Sequence, residues 1–454
     1  MSKFAKDLKG AQKRVLRILN AKQKNPGGDL LHIVKELLPK RDGILRLAKK
    51  YPTPFYLIDN AQLENSINEF KTPFEKFIQG VRIFYAMKSD DHPYIVKSVV
   101  KHGFGVDVSS KRELEIALNC GAERIIFNGP GKTEDELLAA VKNNKIVTIN
   151  IDSFGEIEKL EKIATKCGKT IKAGVRIYTK FHGTWNKFGI PLEKLKDFWK
   201  GAEKYPHVKL EGIHFHLSWN RGVSSYQNVI KEVAAYLKKN FTAEMRNSIK
   251  FIDFGGGFFP NRSDAYYPWT SHYPWISPAG NIIQMADSYY GKKTEFAEKY
   301  HVIETMPISD YARGIASALK KYFKPIIDCD YYTEPGRIIC SKAMHIVIRV
   351  MDVKSEKFAI ADGGVNITGW ECGDYFYTPL VNLTQPALKE IEFKIMGYLC
   401  TPRDLWGLYC YAADVRENDV ILVPNQGAYR YSLAQNFIKP IPEVRILKNA
   451  TLSG

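Results

Sequence analysis

The sequence predicts an α/β chain in which a (β/α)8 TIM-type barrel over residues 80–337 is followed by a mostly β domain over 338–454. Three observations predict it. Short β-rich runs recur eight times from residue 81, segments of helical periodicity separate them, and after Arg337 the helical segments stop while the β-rich runs continue. Eight alternating strand–helix units imply parallel strands with right-handed crossovers, which close on themselves as a barrel of roughly 250 residues.

The eight runs are VRIFYAMK (81–88), GVDVSS (105–110), RIIFNG (124–129), IVTINI (146–151), AGVRIY (173–178), LEGIHFHL (210–217), KFIDFGGG (250–257) and DYYTEPGR (330–337). Four helix starts between them carry capping-box spacing, Ser110 with Glu113, Thr133 with Glu136, Ser153 with Glu156 and Ser224 with Gln227. In such a pair the hydroxyl and the longer side chain satisfy N–H groups that the first turn leaves without partners. Pro191 marks a fifth start. After residue 338, AMHIVIRVMDV, KFAIADGG, FKIMGYLC, DVILVP, AYRYSLAQNF and EVRIL read as strands with turn signals. TPFYLID (53–59), within a linking segment 51–79, is a further strand expected to join that sheet. The aromatic, proline-rich stretch 258–280 is expected to be a structured lid or an interface pad, because so many aromatic side chains are rarely left bare.

Composition bounds the function. The net charge of +17 suggests a nucleic-acid binder until it is located. Residues 1–50 hold 14 Lys/Arg and 4 Asp/Glu, so the remaining chain carries only +7, and no recognition motif accompanies the charge. Phe4, Leu8, Ala11, Val15 and Ile18 fall at helical spacing, which makes this segment a basic amphipathic helix. It reads as an appended helix with a solvated basic face, a targeting segment, or a docking arm for an acidic partner. The seven scattered cysteines fit a reducing, cytoplasmic setting. Neither a secretory signal nor an apolar run long enough to cross a membrane is read.

In a barrel of this type the chemistry lies at the C-terminal strand ends. Those ends carry Lys88, Asp107, Asn128, Arg176, His214 and His216, then the triplet Gly255–Gly256–Gly257, then Glu334 and Arg337. Three successive glycines let backbone N–H groups approach a phosphate, and phosphate sites in barrels involve the loops after strands 7 and 8. Arg337 would add a bidentate guanidinium. A phosphate site facing a strand-end lysine points to a phosphorylated carbonyl cofactor, pyridoxal 5'-phosphate, with Glu334 placed for its ring nitrogen. A lysine partly withdrawn from water is expected to lose its proton more readily. No metal site is expected.

These motifs resemble the fold-type III PLP-dependent decarboxylases, which include ornithine, diaminopimelate and arginine decarboxylases and share their barrel with alanine racemase. YAMKSD resembles the family's Y-A-x-K motif, and GVDVSSKRELEIAL its G-x-D-x-A-S-x-x-E-L segment. NKFGI (186–190), DFGGGF and EPGR resemble further barrel motifs, while ADGGVN (361–366), GYLCTPRD (397–404) and NQGAYRYSLAQNF (425–437) resemble elements of the β domain. The resemblance runs from about residue 53 to 440, in matching order. It implies that Lys88 carries the cofactor, His216 stacks on its ring and Glu334 meets the ring nitrogen. Asp107, Arg176, Ser218, Gly255, Gly256, Gly257, Arg337 and Tyr429 would complete the cofactor shell. Cys400 would return a proton to Cα from the second subunit of a head-to-tail homodimer, with Arg337, Thr401, Arg403 and Asp404 toward the substrate.

Two departures stand out. The family's H-x-G-S after strand 6 is here HLSWN, with Ser218 for the glycine and Trp219 for the phosphate-binding serine. Thr401 follows Cys400 where simple diamino-acid decarboxylases carry Asp or Glu for a distal ammonium. The C-T-P-x-D form resembles relatives acting on derivatised amino acids, such as siderophore intermediates or carrier-linked glutamate. The basic N-terminus would suit an acidic carrier protein. The expected function is therefore PLP-dependent α-decarboxylation of an amino acid, derivatised or a conventional diamino acid. A racemase is disfavoured by Glu334 and Cys400, and a catalytically dead regulatory homologue by retention of Lys88, Glu334 and Cys400.

Overall fold

The computed structural model describes residues 9–10, 13, 30–182, 187–266, 300–369 and 376–448. Strand β1 (Phe55–Asp59) comes first, and Asp59 caps the following helix, Asn60–Phe77, by accepting from Gln62 N at 3.1 Å. Eight strands then pair in parallel, in chain order. They are β2 (Arg82–Ala86), β3 (Gly105–Val108), β4 (Ile125–Phe127), β5 (Val147–Ile151), β6 (Ile171–Tyr178), β7 (Val208–His214), β8 (Phe251–Asp253) and β9 (Asp330–Thr333). The ring closes where Tyr332 and Thr333 of β9 lie opposite Arg82 and Ile83 of β2. This is the expected (β/α)8 barrel.

Its interior shows why the site sits at one end. Phe84, Ile126, Phe251 and Tyr332 form a small cluster of their own inside the ring, with Phe251 and Tyr332 stacked at 4.6 Å. Glycines on the intervening strands make the room. A Cβ on Gly105 would sit 2.4 Å from the Phe84 ring, and one on Gly212 would sit 2.0 Å from the Phe251 ring. Large side chains facing glycines plug the lower barrel, and the polar strand ends are left to line the mouth.

The second sheet is ordered β11–β13–β14–β12–β15–β10–β1–β16, where β10 is Met344–Ser355, β11 Phe358–Ala361, β12 Leu380–Asn382, β13 Glu390–Met396, β14 Leu405–Tyr411, β15 Val420–Val423 and β16 Val444–Leu447. A further pairing of β10 with β11 closes six of these strands on themselves. β1 runs antiparallel to β10 and parallel to β16. Helices Leu31–Leu37 and Arg41–Lys50 cover one face, burying Leu30, Ile33, Val34 and Ile44 with Phe55, Leu57, Val347 and Leu422. The amphipathic helix expected from Phe4 to Ile18 lies outside the described residues except at Lys9, Gly10 and Lys13, which are helical, and the aromatic stretch beyond Tyr266 lies outside them too. The start of that stretch is tied to the β domain, since Ala265–Tyr266 pairs with Phe376–Tyr377. Among the described residues no helix is long and apolar enough to cross a membrane.

Three expected caps form. Ser110, Thr133 and Ser153 each accept from the N–H three residues on, and Thr133 with Glu136 makes the complete capping box. The fourth does not. Ser224 is the first residue of its helix, Val223 occupies the cap position, and the Gln227 side chain donates instead to Gly314 O at 3.1 Å.

Gly212→Ala is expected to destabilise the barrel by about 1–3 kcal/mol through overpacking against Phe251. Chemical unfolding checks this, and Phe251→Leu on the same background should recover part of the loss.

Candidate active site

The barrel mouth is a connected polar network drawn from six strands. Lys88 lies on a short turn, Met87–Ser89, directly after β2, and its Nζ is 2.6 Å from Asp107 Oδ2 on β3. Asn128, after β4, donates from one amide nitrogen to both Asp107 Oδ1 at 2.7 Å and Glu334 Oε1 at 2.6 Å. Its own oxygen accepts from Asn150 Nδ2 of β5 at 3.0 Å. The other oxygen of Glu334, Oε2, lies 3.5 Å from His214 Nε2 and 3.6 Å from His216 Nδ1. Arg176 of β6 holds its guanidinium 4.4 Å from the Phe188 ring centre.

Electrostatics follow from this packing. The Lys88 side chain is 36% exposed in the open mouth. The surrounding wall works against its charge, but Asp107 and Glu334 outweigh that and hold its ammonium above the usual lysine range. The expectation of a readily deprotonated lysine is thus reversed, because its nearest partner is a carboxylate rather than apolar wall. Burial pushes the Asp107 carboxyl up, Glu334 adds to this, and the Lys88 pair offsets it. Burial would also raise Glu334, yet the two imidazoles and Lys88 hold its carboxyl well below the usual range. Burial lowers His214 and takes His216 down to about 4. An ionised Glu334 between two poorly basic imidazoles is the result.

Gly255 and Gly257 adopt φ of +68° and +89°, and a Cβ on Gly256 or Gly257 would meet Glu334 O at 2.0 Å or Leu217 O at 1.8 Å. Only glycine fits, so the loop is a bare backbone cradle against the floor of the mouth. Gly255 N donates to Asp253 Oδ1 at 2.9 Å, and Gly256 N to His216 Nδ1 at 3.2 Å. Arg337 follows Glu334 at the start of a short helix, and Ser218 is half-buried on the loop after β7. Tyr429 of the β domain is brought in by its N–H to Ser89 O at 2.7 Å, while Ser432 Oγ donates to Lys88 O at 3.1 Å.

The fit to a phosphorylated pyridine is good. Glu334 Oε2 is fully buried and makes no hydrogen bond, so a protonated ring nitrogen would satisfy it. The cradle, the lysine and the buried carboxylate answer the phosphate, the carbonyl and the ring. His214, His216 and Glu334 also have ligand atoms within 4.8 Å of one another, as a metal site would. The Lys88 cation bearing on the same carboxylate disfavours a dication there.

The turn between β13 and β14 carries Cys400, Thr401, Arg403 and Asp404. Cys400 and Arg403 are exposed, and the backbone bonds of the turn are local, Thr401 N to Leu399 O and Leu405 N to Arg403 O among them. Asp404 departs from the expectation of a substrate ligand. It is 1% exposed, and its two oxygens accept from Val365 N and Leu399 N, each at 2.7 Å. Two buried amides need that carboxylate, which fixes it inward. The network also includes Asn150 and Asp253, which sequence reasoning did not single out. Asn150 was signalled by alternation in IVTINI, as a polar residue at an inward position.

Fold and site together define a barrel enzyme built for a phosphorylated pyridine cofactor. Residues 60–274 match the family described as pyridoxal-dependent decarboxylase, pyridoxal binding domain. The diaminopimelate decarboxylase of Aquifex aeolicus is 26% identical over 433 residues, covering 90% of this chain and 91% of that one. The L-glutamyl-(BtrI acyl-carrier protein) decarboxylase of Niallia circulans is 26% identical over 431 residues, covering 89% and 91%. The solved diaminopimelate decarboxylase of Methanocaldococcus jannaschii superposes with a TM-score of 0.73 at 22% identity, over 89% of each chain. These matches support a member of the fold-type III PLP-dependent decarboxylases, and the chain is a pyridoxal-phosphate-dependent amino-acid decarboxylase.

Asp107→Asn would remove the nearer of the two carboxylates that keep Lys88 charged, so that burial lowers its pKa against Glu334 alone of the two. Pyridoxal phosphate uptake needs a neutral amine, so the pH of half-maximal uptake rate should move down. Stopped-flow absorbance across pH checks this.

Proposed function

We propose that this decarboxylase acts on an amino acid whose distal end is derivatised or carrier-linked, in a homodimer whose subunits complete each other's sites. The observation that carries the substrate reading is Asp404. With its oxygens committed to Val365 and Leu399, the Cys400 turn offers Thr401 and Arg403, and no free carboxylate, to a distal group. A buried ammonium without a carboxylate is costly. A hydroxyl and a guanidinium suit an amide, ester or carboxylate instead. The carrier-protein glutamyl decarboxylase among the relatives acts on a substrate of that kind, and the basic first 50 residues would suit an acidic carrier.

Bound pyridoxal phosphate supplies the electron sink for the pair left at Cα when CO2 departs. In this reading Lys88 holds the cofactor, and Asp107 sets the proton on the Lys88 amine. Glu334 Oε2 keeps a proton on the ring nitrogen, while Asn128 fixes the Glu334 carboxylate from its other edge. His216 flanks the ring, and Arg176 and Ser218 line the shell. The Gly255–Gly257 loop, with Arg337 and Tyr429, would receive the phosphate. Cys400, delivered from the second subunit, returns a proton to Cα.

Exposure of Cys400 supports the dimer, because a proton donor on a solvent-facing turn needs a partner surface to seat it. Exposed Phe437 and Ile438 adjoin Lys439, whose ammonium sits 5.0 Å from the Tyr398 ring beside that turn. The six described cysteines are all free, in keeping with a cytoplasmic setting.

CO2 release should be seen with carrier-linked glutamate or another distally derivatised amino acid and abolished by Lys88→Ala. Ornithine, lysine, arginine and both meso- and L,L-diaminopimelate should be poor substrates. Ordinary enzymatic turnover of any of these would overturn the substrate reading. Mixing inactive Lys88→Ala and Cys400→Ala chains under subunit exchange should restore part of the activity, because one site of each mixed dimer then has both groups.

A further inference from the structure

Trp219 stands where the family resemblance leads one to expect a phosphate-binding serine, and its surroundings give it a different task. The Arg337 guanidinium carbon lies 5.1 Å from the Trp219 ring centre, 4.9 Å from that of Phe259 and 5.0 Å from that of Tyr429. All three distances fall inside the range of cation–π attraction. Trp219 and Phe259 also stack on each other, with centres 5.4 Å apart and planes at 27°. The three rings come from three parts of the chain, so the enclosure is not an accident of local sequence.

The backbone is arranged to hold this. Trp219 has φ of +57°, the left-handed region that a bulky residue adopts only when its surroundings demand it. The next residue supplies the demand. Asn220 N donates to Gly257 O at 3.0 Å, and its side chain donates to Leu217 O at 3.2 Å. The loop after β7 is thereby stitched to the glycine cradle, and Tyr311 OH secures it from outside by donating to Asn220 O at 2.8 Å. Phe259 lies two residues beyond the cradle and is 3% exposed, a fixed wall for the guanidinium.

A serine binds a phosphate directly through its hydroxyl. A ring on the guanidinium acts at one remove, by restricting an arginine whose free side chain samples many rotamers. We propose that Trp219, with Phe259 and Tyr429, is a positioning residue that holds the Arg337 guanidinium for the phosphate of the cofactor, in place of the missing hydroxyl. This rests on the reading of Gly255–Gly257 and Arg337 as the phosphate site.

The test compares equilibrium binding of pyridoxal phosphate and of pyridoxal, which lacks the phosphate, to the cofactor-free full-length chain and its variants. Trp219→Ala should weaken pyridoxal phosphate about two- to tenfold, the loss of one cation–π contact of roughly 0.5–1.4 kcal/mol. Pyridoxal binding should be unchanged. Trp219→Phe should restore most of the discrimination, and it serves as the folded comparison should the alanine variant unfold. Trp219→Ser tests the alternative, and a phosphate preference rising above that of the native chain would overturn the proposal. Equal losses for both compounds, or none for either, would also overturn it. A native chain that binds both compounds equally shows that the glycine–arginine site is not the phosphate site, and the proposal falls with that reading.

Discussion

Two carboxylates are held out of water near the axis of this barrel, and the rest of the site depends on how that is made tolerable. Asp107 and Glu334 share one amide, the side chain of Asn128, which has a hydrogen for each. Lys88 takes the open side of one carboxylate and the imidazoles of His214 and His216 flank the other. An unpaired charge buried there would be prohibitive, and repulsion between the two acids would protonate one of them. Spacing them with a neutral donor keeps Glu334 ionised while leaving one of its oxygens for a ligand. That state is built by ring closure, because the residues involved lie on β2, β3, β4, β7 and β9 or just beyond their ends.

The same economy governs the phosphate end of the site. Gly255, Gly256 and Gly257 are pressed against the carbonyls of Phe215, Glu334 and Leu217 in turn, so closely that no side chain fits between the loop and the floor. The cradle and the carboxylate are thus one rigid unit, with Glu334 N donating to Gly255 O at 2.8 Å. Charge recognition at one end and proton placement at the other are set by a single stretch of packed backbone.

Elements written in local chemistry were legible in the sequence. The strand ends, the capping serines at 110 and 153, the glycine triplet and the lysine after β2 each follow from a short window. Contacts between distant windows were not. Ser224 failed as a cap because Gln227 had a better acceptor in Gly314, far along the chain. Asp404 was expected to face the substrate from its place in the C-T-P-x-D motif, yet two buried amides claim it. Lys88 was expected to be destabilised by burial, and only the placement of Asp107 across the strands reverses the sign. Trp219 read as a defect in the phosphate shell until Arg337 and Phe259 were seen around it.

Strand β1 has a consequence for the order of events during synthesis. It is made before the barrel, but its two neighbours, β10 and β16, are made after it, the latter near the far end of the chain. Throughout the intervening translation β1 has polar edges with no strand to meet them, the kind of surface that invites wrong pairing. The barrel can close in that interval, since its strands pair with sequence neighbours around the ring. The smaller domain cannot, because the strand it starts from is completed by the strand it ends with. Its formation is a late, long-range clasp that fastens β1, and with it the Lys88 turn and the Tyr429 loop, around a barrel already in place.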